Sequence, residues 1–397
     1  MSFLWRERER LTDGQTEFFV GVWPTPRVFD MMLPSSRCPF CERVWLALLV
    51  KGIPFEEKTL SLQNKPQWYL DKVSTGLVPA IEFKDSSEVL AESRDILLRL
   101  ENDDKFTNFR SLLPSAEAER ANMLLDECEG MAKSIAGVLY GTNATSAELA
   151  DKMTAFKVSM GKMEALLQES ASPFFLSSGF SIVDCMIVPI LERLAVQLPL
   201  KTGIALRDKA RWPAVDAWFV AMETEVAPYR NRVQGDTYSW SASFVTILEM
   251  FQATQGVDGN NPLLNAQEQA RHVLEEQLAA CPSTFEKAAR REALQKLVAN
   301  HAYIIADATS QEAKTQKSLE RVSDADAPSV DRALRRAAAL LLQDDDLSVA
   351  SELEGISAAE AKAARVVASR LCVPRDMGAP AAGALRASLG SVALAAQ

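Results

Sequence analysis

Histidine is nearly absent from this 397-residue chain, which contains only His272 and His301. A structural zinc site usually combines one Cys-x-x-Cys pair with a second pair or with two closely spaced histidines. The sequence has a single such pair, Cys38 and Cys41, and both histidines lie far from it along the chain. We therefore expect no metal site.

Long apolar runs are also lacking. No uninterrupted stretch reaches membrane-spanning length, which predicts no stable membrane insertion. The N-terminal residues mix Arg with Glu and lack the apolar core of a secretory signal. We predict a reducing compartment, the cytoplasm in the simplest case, with a plastid as the alternative. Disulfides are then not expected, and four cysteines outside the pair should be buried apolar residues: Cys128, Cys185, Cys281 and Cys372.

Positive charge is in deficit. The 43 Lys and Arg residues against 53 Asp and Glu give a formal net charge of -10. A surface that binds nucleic acid needs an extended basic face, so general nucleic-acid binding is not expected. Small molecules or proteins are the expected partners. The chain is longer than one ordinary core requires, and this length predicts two or three domains.

The first hundred residues alternate strand and helix signals. The predicted elements are a buried strand at 27–33, a helix at 38–51 ending at Gly52, a strand from Ile53, a short helix after Pro66, two short strands, and a helix at 93–101. A strand, helix, strand opening implies parallel pairing with a right-handed crossover. The order βαβαββα describes a thioredoxin-like domain, which we place at residues 25–103.

Long amphipathic segments follow and predict an all-helical domain at residues 112–234. Ser181 and Asp184 have capping-box spacing and mark one helix start. Residues 235–397 form a helical extension, expected to pack against both preceding domains. Near its end, Arg375 and Asp376 are expected to form a buried ion pair that fixes a turn.

The cysteine pair allows three interpretations: thiol chemistry, metal binding or core packing. At the first turn of a helix, the Cys38 sulfur would lie near unpaired backbone N–H groups and the positive end of the helix dipole, with Arg37 and Arg43 close by. That environment favours the thiolate, the form that attacks disulfides and electrophiles. Cys41, one turn later on the same face, is within reach of a mixed disulfide. These features favour thiol chemistry.

The segment "CPFCERVWLALLVKGIPFEEKTLSL", followed by "STGLVPAIEF" and "LAES", resembles the glutathione transferase superfamily. The branch it resembles is the cysteine type, which includes omega and lambda transferases and dehydroascorbate reductases. Further along, "GFSIVDCMIVPILERL" and "RWPAVDAWFVAME" are similar to two helices of that family's second domain. The resemblance implies an α/β thioredoxin-like domain joined to an all-α transferase C-terminal domain, with the extension added.

The resemblance also implies glutathione as the ligand. Cys38 would be the nucleophile that forms a mixed disulfide with it, and Pro39 and Phe40 would shape the mouth of the helix. Val78 would offer its backbone to the cysteinyl part of glutathione. Pro79 matches the family's cis-proline, which exposes the preceding backbone groups for pairing with an extended peptide.

The two ends of glutathione have matching residues as well. Glu92 and Ser93 match the acidic-Ser pair that holds the γ-glutamyl end, and Lys65 falls where a cation would meet the glycyl carboxylate. Cys41 departs from the omega-like pattern, which usually has another residue there. It is left open whether Cys41 resolves an intermediate, protects Cys38 through an internal disulfide, or only packs.

The function implied is that of an enzyme, a glutathione-dependent thiol transferase or reductase. It would act through a Cys38–glutathione mixed disulfide on a glutathionylated thiol, a disulfide, dehydroascorbate or another small electrophile. A homodimer is an expected assembly. The alternative is a non-enzymatic scaffold or regulatory protein that keeps the fold and uses the extension for partner binding.

Overall fold

The computed structural model describes residues 16–22, 38–61, 65–83, 87–140, 146–244, 263–309, 322–343, 351–374 and 376–396. Within those ranges, none of the helices is both long and apolar enough to cross a lipid bilayer.

A four-stranded sheet forms the first part of the fold. Its strands are β1 Thr16–Val22, β2 Phe55–Ser61, β3 Ala80–Phe83 and β4 Glu88–Ala91, in the spatial order β2-β1-β3-β4. β1 runs parallel to β2 and antiparallel to β3, and β3 pairs antiparallel with β4. The helices of this part are α1 Pro39–Lys51, α2 Gln67–Lys72 and α3 Ser93–Asn102. The thioredoxin-like order βαβαββα is confirmed.

The first strand is not the one that the sequence predicted. The strand paired with β2 is Thr16–Val22, a segment that the apolar pattern had left unassigned. The predicted strand at 27–33 lies outside the described residues. The crossover through α1 is nevertheless parallel, as expected, and α1 ends at Gly52.

Four long helices make the second part. They are α4 Ala118–Tyr140, α5 Ser146–Gln168, α6 Ile182–Thr202 and α7 Pro213–Glu225. Their apolar faces and those of α1 and α3 share one continuous core, so the α/β part and the helical part do not bury separate interiors. The boundary proposed between them at residues 103–112 therefore remains a prediction.

The capping box at the start of α6 is confirmed. Ser181 Oγ accepts from the Val183 N–H at 3.2 Å, and Asp184 Oδ2 accepts from the Ser181 N–H at 2.9 Å. Asp184 is fully buried and also accepts from Trp218 Nε1 at 2.8 Å. These bonds satisfy otherwise unpaired N–H groups and tie the start of α6 to α7.

The extension is helical, as predicted. Residues 237–244 form α8, and the later helices are α9 Leu263–Leu278, α10 Lys287–Thr309, α11 Ala327–Leu342, α12 Ala358–Arg370 and α13 Ala379–Leu394. From α9 onward the extension has a core of its own, rich in Ala, Leu and Val. Small side chains allow the helices to approach closely, which explains the Ala-rich composition.

The extension contacts the helical part, and side chains of the helical part in turn contact the α/β part. Arg232, at the end of the helical part, donates from Nη1 to the Pro374 carbonyl at 2.7 Å. Its guanidinium also lies 4.7 Å from the Trp45 ring centroid on α1. Arg232 thus links the extension to the α/β part.

The expected ion pair of the extension's last turn lies partly outside the described residues, because Arg375 is among those not described. Asp376 is buried and accepts from the Cys372 N–H at 2.9 Å. A carboxylate bound to the backbone therefore fixes this turn.

The prediction for the scattered cysteines is wrong at one position. Cys128, Cys185 and Cys372 are buried, as expected, whereas Cys281 is exposed. Cys281 follows α9 where the chain enters the short turn Pro282–Thr284, and its Sγ lies 2.8 Å from Ser283 Oγ. Inter-helix turns run over the surface, so a small apolar residue there stays in water.

Candidate functional site

The Cys38 sulfur lies at the start of α1. Cys38 is the N-cap residue and Pro39 begins the helix, so the first amides of α1 have no partner within the helix. The side chain is half-buried. A hydrogen bond from the Cys41 thiol, backbone N–H groups of Cys41 and Phe40, and the charge of Arg193 together lower the pKa of Cys38 from 9.0 to about 7, against the opposing effect of burial.

Other cysteines show the reverse effect. Cys128 on α4 and Cys185 on α6 are fully enclosed, and burial raises the pKa of each thiol well above its ordinary value. A thiol without helix-end donors remains protonated and unreactive at neutral pH. The environment of Cys38, rather than burial in general, therefore produces a thiolate.

Arg43 connects the start of α1 with the start of α3. Its Nη1 donates to Ser93 Oγ at 3.2 Å, and its guanidinium lies 4.8 Å from the ring centroid of Phe40, which is 47% exposed. Burial lowers the pKa of Arg43 to about 10, which leaves it charged at neutral pH. Because Ser93 accepts from Arg43, the Ser93 hydroxyl proton stays available for another acceptor.

The remaining predicted site residues border this region. The Val78–Pro79 peptide bond is cis, and Val78 is half-buried against the core that also contacts Cys38. Glu92 is exposed and has a φ of 71°, in the left-handed region that few residues other than glycine adopt. Lys65 is half-exposed just before α2.

The chemistry of these residues suits an extended peptide with a free carboxylate and a free ammonium group. The Ser93 hydroxyl and the first amides of α3 are donors suited to a carboxylate, and the exposed Glu92 carboxylate suits an ammonium group. The cis bond precedes β3, where an extended peptide can pair with backbone groups. The strained backbone of Glu92 places an acidic side chain beside that helix end.

A buried charged cluster behind Cys38 was not predicted. Arg193 Nη1 donates to Glu42 Oε2 at 2.7 Å and lies 3.5 Å from Glu192 Oε1. The Tyr229 hydroxyl donates to Glu192 Oε2 at 2.9 Å. Burial, with the negative charge of Glu42, raises the pKa of Glu192 well above its ordinary value.

A sequence signal for this cluster exists. Glu42 stands inside the apolar run "CPFCERVWLALL", and Glu192 and Arg193 interrupt "IVPILERLAV". Charges on the buried face of an apolar helix are stable only when paired. The signal shows that partners are needed, but it cannot show which ones, since Glu42 and Arg193 are 151 residues apart.

The described residues contain no group of three or more His, Cys, Asp or Glu side chains arranged to hold a metal ion.

Two family models match the chain. The glutathione S-transferase N-terminal domain matches residues 34–105, and the C-terminal domain of the same family matches residues 146–221. Protein IN2-1 of Zea mays is 35% identical over 180 residues, which are 43% of this chain and 69% of that protein. The chain belongs to the glutathione S-transferase superfamily.

Two further relatives indicate its branch. Glutathione S-transferase L2, chloroplastic, of Arabidopsis thaliana is 33% identical over 43% of this chain and 57% of that protein. Glutathione S-transferase omega-1 of Sus scrofa is 27% identical over 51% of this chain and 80% of that protein. The chain is thus related to the cysteine-type lambda and omega members. Both family models end before residue 235, so the extension lies outside them.

Proposed function

We propose that this transferase-like protein catalyses glutathione-dependent thiol transfer through a Cys38–glutathione mixed disulfide. The observation that carries the proposal is the environment of Cys38, where helix-end amides, the Cys41 thiol and Arg193 favour a half-exposed thiolate. A hydroxyl or tyrosine that activates glutathione itself is not required, because the protein supplies the nucleophile.

The reaction has two exchange steps. The Cys38 thiolate attacks the glutathione sulfur of a glutathionylated thiol, a Cys38–glutathione disulfide forms, and the substrate leaves as a thiolate. A second glutathione thiolate then attacks the glutathione sulfur of this adduct. Glutathione disulfide leaves and the Cys38 thiolate is restored. With a small disulfide or dehydroascorbate, Cys38 first forms an adduct with the substrate. One glutathione thiolate then attacks the Cys38 sulfur, the reduced substrate leaves, and the resulting Cys38–glutathione disulfide is resolved by the same second step.

Six residues would orient glutathione in this scheme: Phe40, Lys65, Val78, Pro79, Glu92 and Ser93. Pro39 fixes the first turn of α1 without a competing N–H group. The Cys41 thiol is fully buried, so it is unsuited to meet a large substrate first. Its position leaves one further route: attack on the Cys38 sulfur of the adduct, which releases glutathione and forms an internal disulfide.

Steady-state turnover of a glutathionylated peptide tests the proposal. Cys38→Ser should abolish glutathione-dependent turnover, because the alkoxide of serine does not form at neutral pH. Cys41→Ser should keep part of the activity through the glutathione-resolved route. Cys281→Ser, which changes an exposed thiol between extension helices, is the matched control and should have parental activity.

Turnover by the Cys38→Ser protein would overturn the assignment. If the parent chain neither turns over the peptide nor binds glutathione, the scaffold interpretation takes its place.

We also propose that the chain is divided at residues 25–103, 112–234 and 235–397, that it forms a homodimer, and that it acts in the cytoplasm. The chloroplastic name of the Arabidopsis thaliana relative makes a plastid location the alternative to the cytoplasm. Light scattering of the purified chain checks the dimer, and a fluorescent fusion checks the compartment.

A further inference from the structure

The guanidinium of Arg193 connects the nucleophilic helix with the extension. Its Nη1 donates to Glu42 Oε2 at 2.7 Å, and Glu42 directly follows Cys41 on α1. The guanidinium carbon also lies 4.1 Å from the ring centroid of Trp240. Trp240 belongs to α8, the first helix of the extension. One buried cation therefore contacts both the helix of the nucleophile and the region outside the family models.

Trp240 is held in place as an aromatic surface. Gln197 Nε2 donates to its backbone carbonyl at 3.1 Å. A Cβ atom at Gly235 would overlap Trp240 Cε2, so the ring fills a space that only glycine leaves open. The buried indole N–H has no hydrogen-bond partner among the described residues. The contribution of Trp240 is thus its ring face, against which a guanidinium stacks favourably.

The Arg193 guanidinium interacts with two carboxyl groups, Glu42 and Glu192, and with the Cys38 thiolate. Glu192 is the adjacent carboxyl, but burial and the nearby Glu42 favour its neutral form. Glu42 and the Cys38 thiolate remain as the negative groups that the guanidinium stabilises. A displacement of the guanidinium toward or away from α1 would therefore change the fraction of Cys38 that is thiolate.

We propose that Trp240 is a positioning residue, which holds the Arg193 guanidinium against Glu42 at the start of α1, the helix that Cys38 caps. The extension then sets how much of the nucleophile is ionised. This inference rests on the proposed role of Cys38, but its test requires no glutathione.

Other titratable groups act on Cys38 or on its neighbours and must be accounted for. Cys41, Arg43 and Arg193 interact with Cys38 itself. Tyr69 interacts with Cys41, Cys128 and Glu129 interact with Arg43, and Glu42 and Glu192 interact with Arg193. Of the two cations, Arg193 is the one stacked on a ring of the extension.

The test is the pH profile of Cys38 alkylation by iodoacetamide in the full-length chain, followed by mass spectrometry of the peptide that carries Cys38. Trp240→Leu should shift the midpoint upward by about half a pH unit. At pH values below the midpoint, this shift corresponds to roughly threefold less thiolate. Trp240→Phe keeps a ring face and should stay near the parent. Gly235→Ala, which pushes the ring aside, should shift the profile in the direction of Trp240→Leu.

Coupling to Arg193 is measured in the same assay. Arg193→Met should raise the midpoint, and Trp240→Leu should add no further shift in that background, because the ring acts through the guanidinium. If Trp240→Leu does not fold, Gly235→Ala decides the question, because its methyl group displaces the same ring.

A purely structural Trp240 would lower the unfolding midpoint and leave the alkylation profile unchanged, and this result would overturn the inference. Equal shifts by Trp240→Leu with and without Arg193 would do the same. Unchanged profiles together with normal glutathione turnover would reject only the inference. Shifted profiles in a chain without turnover would reject only the proposed function.

Discussion

The Cys41 thiol has a larger effect on Cys38 than any charged residue has. Its hydrogen bond is the largest of the effects that lower the pKa of Cys38, ahead of the backbone amides and Arg193. A residue three positions along α1 is held at a fixed distance by the helix. Cys41 therefore stabilises the thiolate form of Cys38, whether or not it also resolves disulfides.

Two substitutions at Cys41 separate these roles. Cys41→Ala removes the hydrogen-bond donor, so the midpoint of Cys38 alkylation should move from about pH 7 upward by about one unit. Cys41→Ser retains an O–H donor and should stay near the parent value. Iodoacetamide kinetics over a pH series measure both. Identical midpoints for the alanine and serine variants would show that the hydrogen bond contributes nothing.

Among the helices, α6, which carries Arg193, is held at its start by a buried carboxyl. Asp184 accepts from Ser181 Oγ at 2.8 Å and from Trp218 Nε1 at 2.8 Å. Burial nevertheless raises the pKa of Asp184 from 3.8 to about 6. The folded protein therefore holds this proton more tightly than the unfolded chain does.

The sign of the resulting pH effect follows from linkage. The contribution of Asp184 to the free energy of unfolding is complete below pH 3.8 and is lost as the pH rises to about 6. Between these limits the parent should lose on the order of 2–3 kcal/mol relative to Asp184→Asn, which does not titrate. Urea unfolding of both proteins at several pH values measures the difference. Parallel curves would contradict the raised pKa.

The sequence predicted features that depend on neighbouring residues and missed those that depend on residues far apart in the chain. The capping box, the end of α1 at Gly52 and the helical character of the extension came from local patterns and are confirmed. The Glu42–Arg193 pair was missed because its members lie on helices far apart in sequence. The role of residues 16–22 was missed because strand pairing depends on neighbours that a local pattern does not identify.

In the whole molecule, a buried arginine joins the first and last segments of the extension. Arg386 on α13 is fully buried, pairs with Asp236 at the start of the extension and donates to Gln277 Oε1 at 2.9 Å. Its guanidinium lies 4.8 Å from the Tyr238 ring centroid. The first and last segments of the extension thus meet at one charge, close in sequence to Trp240.

Loss of one partner of this pair should be more damaging than loss of both. Arg386→Leu leaves the Asp236 carboxylate without its cation and should destabilise the chain by about 3–5 kcal/mol. Adding Asp236→Asn should restore part of that loss, because no unpaired charge is then buried. Urea unfolding monitored by tryptophan fluorescence provides both values. If the double variant is less stable than Arg386→Leu alone, charge pairing does not hold these two segments together.

We expect Cys38 to carry glutathione as a mixed disulfide. Intact-mass measurement of the 397-residue chain after brief treatment with glutathione disulfide, followed by peptide mapping, can detect it. One added glutathione should appear on Cys38 in the Cys41→Ser protein and be removed by excess glutathione, and none should appear on Cys38→Ser. Glutathione found on Cys281 alone, or on Cys38 only above the pKa of an ordinary thiol, would rule out this role of Cys38.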